Sequence, residues 1–229
     1  MGRLILEGNP PVEVLLRRSA RAQRLSLRIS RLDGRATLTL PNRVPDREGM
    51  AFLREREDWL RGHLEGIEPE MPVVLGGTVL FRGAALPLVV GNVKRARLVG
   101  GALALPDDPD KVGKRVAAFL KLQARDALAE ASDRYSAALG KPYGRISLRD
   151  TRSRWGSCSS AGDLMYSWRL IMAPTDVLEY VAAHEVAHLQ HMDHSPRFWD
   201  AVERLFPAHK ACRKWLRENG GALHRVRFD

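Results

Sequence analysis

Residues 177–189, "VLEYVAAHEVAHL", restrict the fold more than any other stretch of this 229-residue chain. Read at the helical period, Val177, Leu178, Val181, Ala182, Val186, Ala187 and Leu189 leave almost no polar face, so a helix here must be enclosed by other elements. Yet His184, Glu185 and His188 lie within it. A buried imidazole or carboxyl without a partner is costly, so these groups need something to bind. His184 and His188 stand one turn apart on one face and can direct nitrogens at a common ion, with Glu185 beside it. A surface helix with two solvated histidines is the simpler reading, and the apolar flanks argue against it.

A catalytic zinc usually keeps three protein ligands and leaves one position open for water. His191 and His194 compete for the third place. If the helix continues, His191 lies a turn beyond the metal and must reach backwards. His194 follows "MDHSP", where the helix can break and the chain fold back, so it is the better candidate. Phe198 and Trp199 are suited to anchor that turn.

The remaining sequence supplies the enclosure. Residues 1–105 read as a β-rich region: "RLSLRIS" and "ATLTL" alternate apolar and polar residues on either side of Asp33-Gly34 and predict a hairpin. "VVLGGTVLF" and "RARLVGGALAL" repeat that pattern with Gly-Gly at the turns, and Asp46 to about Leu64 has the spacing of one amphipathic helix. "PDDPDK" marks a boundary, after which residues 106–229 form a second domain. There Val112, Val116, Phe119, Ala127, Ala131 and Tyr135 trace a helical stripe ended by Gly140 and Pro142. "RISLRDTRSRWGSC" and "DLMYSWRLIMAP" then predict two strands joined by "SSAG". Pro174 ends the second, Thr175 caps the histidine helix, and shorter helices follow near 196–205 and 208–219.

Charge and cysteine usage narrow the class. The net charge of +10 comes from 37 Lys and Arg against 27 Asp and Glu, and residues 1–35 alone carry eight arginines against three acids. Such an excess favours polyanions, nucleic acid among them, although a solvated basic surface explains it equally well. No run reaches the roughly 18 apolar residues of a membrane span. Cys158 and Cys212 are far apart and belong to no CxxC pair, which points to free thiols and a cytoplasmic location.

Around the candidate centre, Lys141 and five arginines lie within residues 141–169 against Asp150 and Asp163. On a strand, Arg152 and Arg154 share a face while Trp155 takes the other. They are candidates for holding an anionic substrate or an oxyanion, with Arg169, Arg197 and Tyr166 as weaker ones. Pairing with carboxylates, or for Tyr166 a place in the core, is the alternative.

Four motifs occur in order: R-W-G-S-C at 154–158, W-R-L at 168–170, Y-V-x-x-H-E-x-x-H at 180–188 and H-S-x-x-F-W at 194–199. Together they resemble the YgjP-like metal-dependent hydrolases, a zincin branch related to SprT-like and WLM domains. The likeness is close over about 145–220 and looser before that. It implies an α+β fold, a β-rich N-terminal region followed by a zincin-like half with helices and antiparallel sheet. It also implies one zinc per chain on His184, His188 and His194, with Glu185 as general base. Ser167 and Asp193 stand where the family often has Asn. The spacing of the third histidine equals that of metzincins, but His191 occupies their turn glycine and sets this chain apart.

The expected activity is therefore hydrolysis by a metal-activated water, most simply of a peptide bond. The arginines leave open a nucleoside triphosphate as substrate. A nucleic-acid module with a structural metal is the remaining alternative, and Glu185 beside the ligands weighs against it.

Overall fold

Alternating apolar residues build a sheet from the first strands of the chain. In this computed structural model, which describes residues 2–30, 34–65 and 70–229, the strands are β1 (Gly2–Leu6), β2 (Val12–Ser19), β3 (Ser26–Ile29) and β4 (Ala36–Pro41). Their order is β1-β2-β4-β3, with β2 and β4 parallel and the other pairs antiparallel. The β3–β4 hairpin is the one expected. Gly34 takes a φ of 68°, and Asp33 lies outside the described residues.

Val14, Leu16, Leu38 and Leu40 point to one side of this sheet and are buried with Leu53 and Leu60. Those two leucines belong to α1 (Asp46–Glu55) and α2 (Glu57–Glu65), where the sequence predicted one helix. Arg56 breaks it: its φ and ψ of −109° and 13° leave the helical region while its carbonyl accepts the Leu60 N–H that opens α2. Glu57 and Asp58 then occupy the first turn, where the helix dipole favours negative charge.

The compact units divide at 70/71, not at the 105/106 boundary read from the sequence. After β5 (Met71–Pro72) come β6 (Thr78–Phe81), β7 (Ala84–Val90), β8 (Arg97–Val99) and β9 (Ala102–Leu105), with the last four ordered β6-β7-β9-β8. Leu88, Leu103 and Leu105 share one apolar core with Val116 and Leu120 of α3 (Val112–Leu139), so these strands fold with the C-terminal helices. Gly100-Gly101 turn the β8–β9 hairpin as expected, both with positive φ. Gly76-Gly77 do not turn the other one. β6 pairs with β7 across Arg82-Gly83, and β5 pairs instead with β13 (Val226–Arg227).

Gly140, left-handed at φ 68°, ends α3 by donating to the carbonyls of Ser136 and Ala137. The two long strands expected next are shorter and three in number: β10 (Ile146–Arg149), β11 (Gly156–Cys158) and β12 (Leu164–Ser167). The order is β10-β12-β11, with β10 parallel and β11 antiparallel to β12. Arg152 and Arg154 thus sit in the loop between β10 and β11, not on a strand. β12 ends at Ser167, a 3₁₀ turn covers Trp168–Met172, and Pro174 takes the cap position before α4 (Thr175–Ala187). The unit closes with α5 (Pro196–Leu205) and α6 (His209–Arg225). No helix among the described residues is long and apolar enough to cross a membrane.

Candidate metal centre

α4 is enclosed as its composition demands: Val177, Leu178, Val181, Ala182, Ala183, Val186 and Ala187 are all buried. The helix stops at Ala187, with His188 as its cap, a few residues earlier than the break read from the sequence. Leu189, Gln190 and His191 continue in turns, and Ser195-Pro196 start α5 with proline in the first turn. That fold-back returns His194 to α4. Its Nε2 lies 3.3 Å from the Nε2 of His184, and His184, His188 and His194 offer ring nitrogens all within 4.8 Å of one another.

This trio fits a metal ion. The edge of a tetrahedron with metal–nitrogen bonds of ~2.0–2.1 Å is about 3.3–3.4 Å, the separation found between the two Nε2 atoms. The His188 Nδ1–H donates to the His191 carbonyl at 2.9 Å, which fixes its tautomer and turns its Nε2 toward the other two rings. Burial, reinforced by the neighbouring His188 and His194 rings, pushes His184 down to about 3, and burial also lowers His188. Both rings stay neutral, the form that binds a metal. Phe198 packs among all three, stacked on His188 at 4.4 Å and edge-on to His184 and His194 at 4.9 Å. Trp199 flanks His184 and His194. His191 does not join the group: the backbone at 191 serves the site and its side chain does not.

Glu185 is 5% exposed and faces β11. A Cβ on Gly156 would lie 2.5 Å from its Oε1, so this close approach requires glycine there. Burial pushes Glu185 up to about 8, opposed by the Arg154 charge and by a hydrogen bond from the Cys158 N–H. A cation on the adjacent imidazoles would act with those two and favour the carboxylate. A cavity of about 220 Å³ opens beside it, bordered by Arg154, Gly156, Tyr180, His184 and Glu185.

β11 is an edge strand. The Trp155 carbonyl accepts from the Ser167 N–H and the Ser159 N–H donates to the Asp163 carbonyl, so the intervening alternation turns the peptide groups of Gly156 and Cys158 away from β12. The Cys158 N–H meets Glu185, and Gly156 is left facing the open edge. The Cys158 thiol is raised to about 11 by burial, bonds to its neighbour's carbonyl and does not belong to the converging group.

The sequence-predicted substrate residues separate. Arg154 borders the cavity, whereas Arg152 borders a different one. Arg169 is 8% exposed, bound to both oxygens of Asp150 at 2.7 and 3.1 Å and to the carbonyls of Leu223 and Val226, which makes it a structural tie. Tyr166 is fully buried, its hydroxyl 3.0 Å from Ser132, and has no access to a substrate. Gly156 and Tyr180, which border the cavity, were not singled out from the sequence. Tyr180 stands one turn before His184, and that spacing was its available signal.

Three converging imidazoles with a glutamate on the same helix, on an α+β scaffold, define a metal-dependent hydrolase. Residues 23–219 match the family model described as "YgjP-like, metallopeptidase domain", a match that runs through both units, and the chain belongs to this family. A solved structure, the metallopeptidase zymogen abylysin of Pyrococcus abyssi, is 22% identical, with the alignment covering 41% of this chain and 92% of that one at a TM-score of 0.36. No curated protein matches.

Proposed function

We propose that this chain is a zinc-dependent metallopeptidase with zinc on His184, His188 and His194 and Glu185 as the general base. The convergence of the three imidazoles next to Glu185 carries this reading. Zinc there would supply a Lewis acid and a bound water acidic near pH 7. Glu185 would be the base that accepts a proton from a water held there and the acid that returns it to the leaving amine. The open edge of β11 suits an extended peptide, because Gly156 can exchange backbone hydrogen bonds with one added strand. Three ligands, one short of a closed structural site, leave a position for chemistry.

The nucleoside-triphosphate reading loses support, since Arg169 is committed to Asp150 and two carbonyls and Arg152 borders another cavity. Of the arginines singled out from the sequence as substrate residues, Arg154 is the one that borders the cavity beside Glu185. Glu185→Gln keeps size and a hydrogen-bond acceptor but no base. Zinc content by elemental analysis is expected to hold while cleavage of a fluorogenic peptide library falls ~10²–10⁴-fold. Full peptide turnover in this variant, or hydrolysis confined to nucleoside triphosphates, would overturn the assignment.

A further inference from the structure

The β10-β12-β11 sheet has two unlike faces. Ile146 and Leu148 of β10 and Leu164 and Tyr166 of β12 pack into the core, so the strand alternation sends Arg145, Ser147 and Arg149 to the other side. In register there, Ser147 lies beside Met165 and Met165 beside Ser157. A groove of about 760 Å³ covers this side, lined by Arg145, Arg149 and Arg154 against a single carboxylate, Asp163, for a net of +2. Arg145 takes Asp163 at 3.0 Å, whereas neither Arg149 nor Arg154 forms an ion pair among the described residues. Arg154 also borders the catalytic cavity. A segment leaving Glu185 past Arg154 therefore runs onto a basic face.

We propose that this face is a subsite for acidic peptide, receiving Asp or Glu side chains of an extended segment whose scissile bond lies at Glu185. The proposal rests on the peptidase reading. Guanidinium forks match carboxylates in shape as well as charge. Arg149 ends β10 and Arg145 immediately precedes it, four residues or about 13 Å away at strand spacing, a span that an extended peptide covers with carboxylates on the same face. Nucleic acid fits less well: no aromatic side chain lines the groove among the described residues, so bases have no stacking platform.

Fluorescence anisotropy tests this with three fluorescein-labelled probes: an octapeptide alternating Glu and Ala, its Lys counterpart, and an eight-nucleotide oligo-dT strand. The acidic peptide is expected to bind the wild-type protein at least tenfold tighter than the other two. Arg149→Glu is expected to lose at least tenfold and Arg149→Gln less, with unchanged circular dichroism. Arg28→Glu, exposed on the first unit, is expected to bind as wild type. Equal affinity for the two peptides, or wild-type affinity in Arg149→Glu, would overturn the proposal. So would tighter binding of the oligonucleotide with the same loss in Arg149→Glu, which would assign the face to nucleic acid. Binding is read without turnover, so acidic-peptide binding with no cleavage would refute the catalytic assignment and leave this face standing. Cleavage without charge preference would do the reverse.

Discussion

Gly156 shows how much of the site rests on single atoms. Adding one methyl there places carbon 2.5 Å from Glu185 Oε1, and the carboxylate must move. Gly156→Ala is therefore expected to keep its metal by elemental analysis while peptide turnover falls by up to about 10²-fold, the scale of a misplacement near 1 Å. Full turnover would mean that Glu185 has room to spare. The histidines divide on similar grounds. His191→Ala retains the backbone carbonyl that orients His188, whereas His194→Ala removes a converging nitrogen. Metal affinity should fall at least tenfold in His194→Ala and change little in His191→Ala, and competition with a chromogenic chelator would expose the reverse order. Spacing made the imidazoles legible, because i and i+4 share a helix face in any context. The part played by residue 191 was hidden, since a backbone carbonyl leaves no mark in a sequence.

At the scale of elements, hydrophobic periodicity carried well where one element has one neighbour pattern throughout. α3, α4 and the β8–β9 hairpin were legible for that reason. It failed where pairing partners decide. Strand alternation continues through "RDTRSRW", yet the chain leaves the sheet after Arg149, where Asp150 turns to Arg169, and rejoins it at Gly156 on the far side of β12. Arg169 fastens that loop to the end of α6 and the start of β13, through the carbonyls of Leu223 and Val226. Arg169→Ala leaves two buried carbonyls without their donor. We expect a loss of about 2–3 kcal/mol, read as a melting temperature lower by roughly 4–12 °C. Arg169→Lys is not expected to rescue it, because an ammonium lacks the planar fork that serves four acceptors. A wild-type melting temperature for Arg169→Ala would show that the loop is held some other way.

At the scale of the whole molecule, the described residues form two apolar cores. One gathers residues from Leu6 to Leu60 and the other from Val73 to Val226, and neither cluster contains a residue of the other unit. Composition could not reveal this, because the β-rich stretch looks uniform up to residue 105. Only the packing of Leu88, Leu103 and Leu105 against α3 assigns its second part to the unit that carries the imidazole trio. The imidazole trio belongs entirely to that unit, so a metal that binds only the folded form stabilises it by mass action and does nothing for the other core. Calorimetry of the full chain is then expected to resolve two transitions. Removal of bound metal by chelator should lower one of them. Leu38→Ala, which empties a fully buried position in the first core, should lower the other by about 3–4 kcal/mol. A single transition that moves with both perturbations would show that the two cores, though separately packed, melt as one cooperative structure.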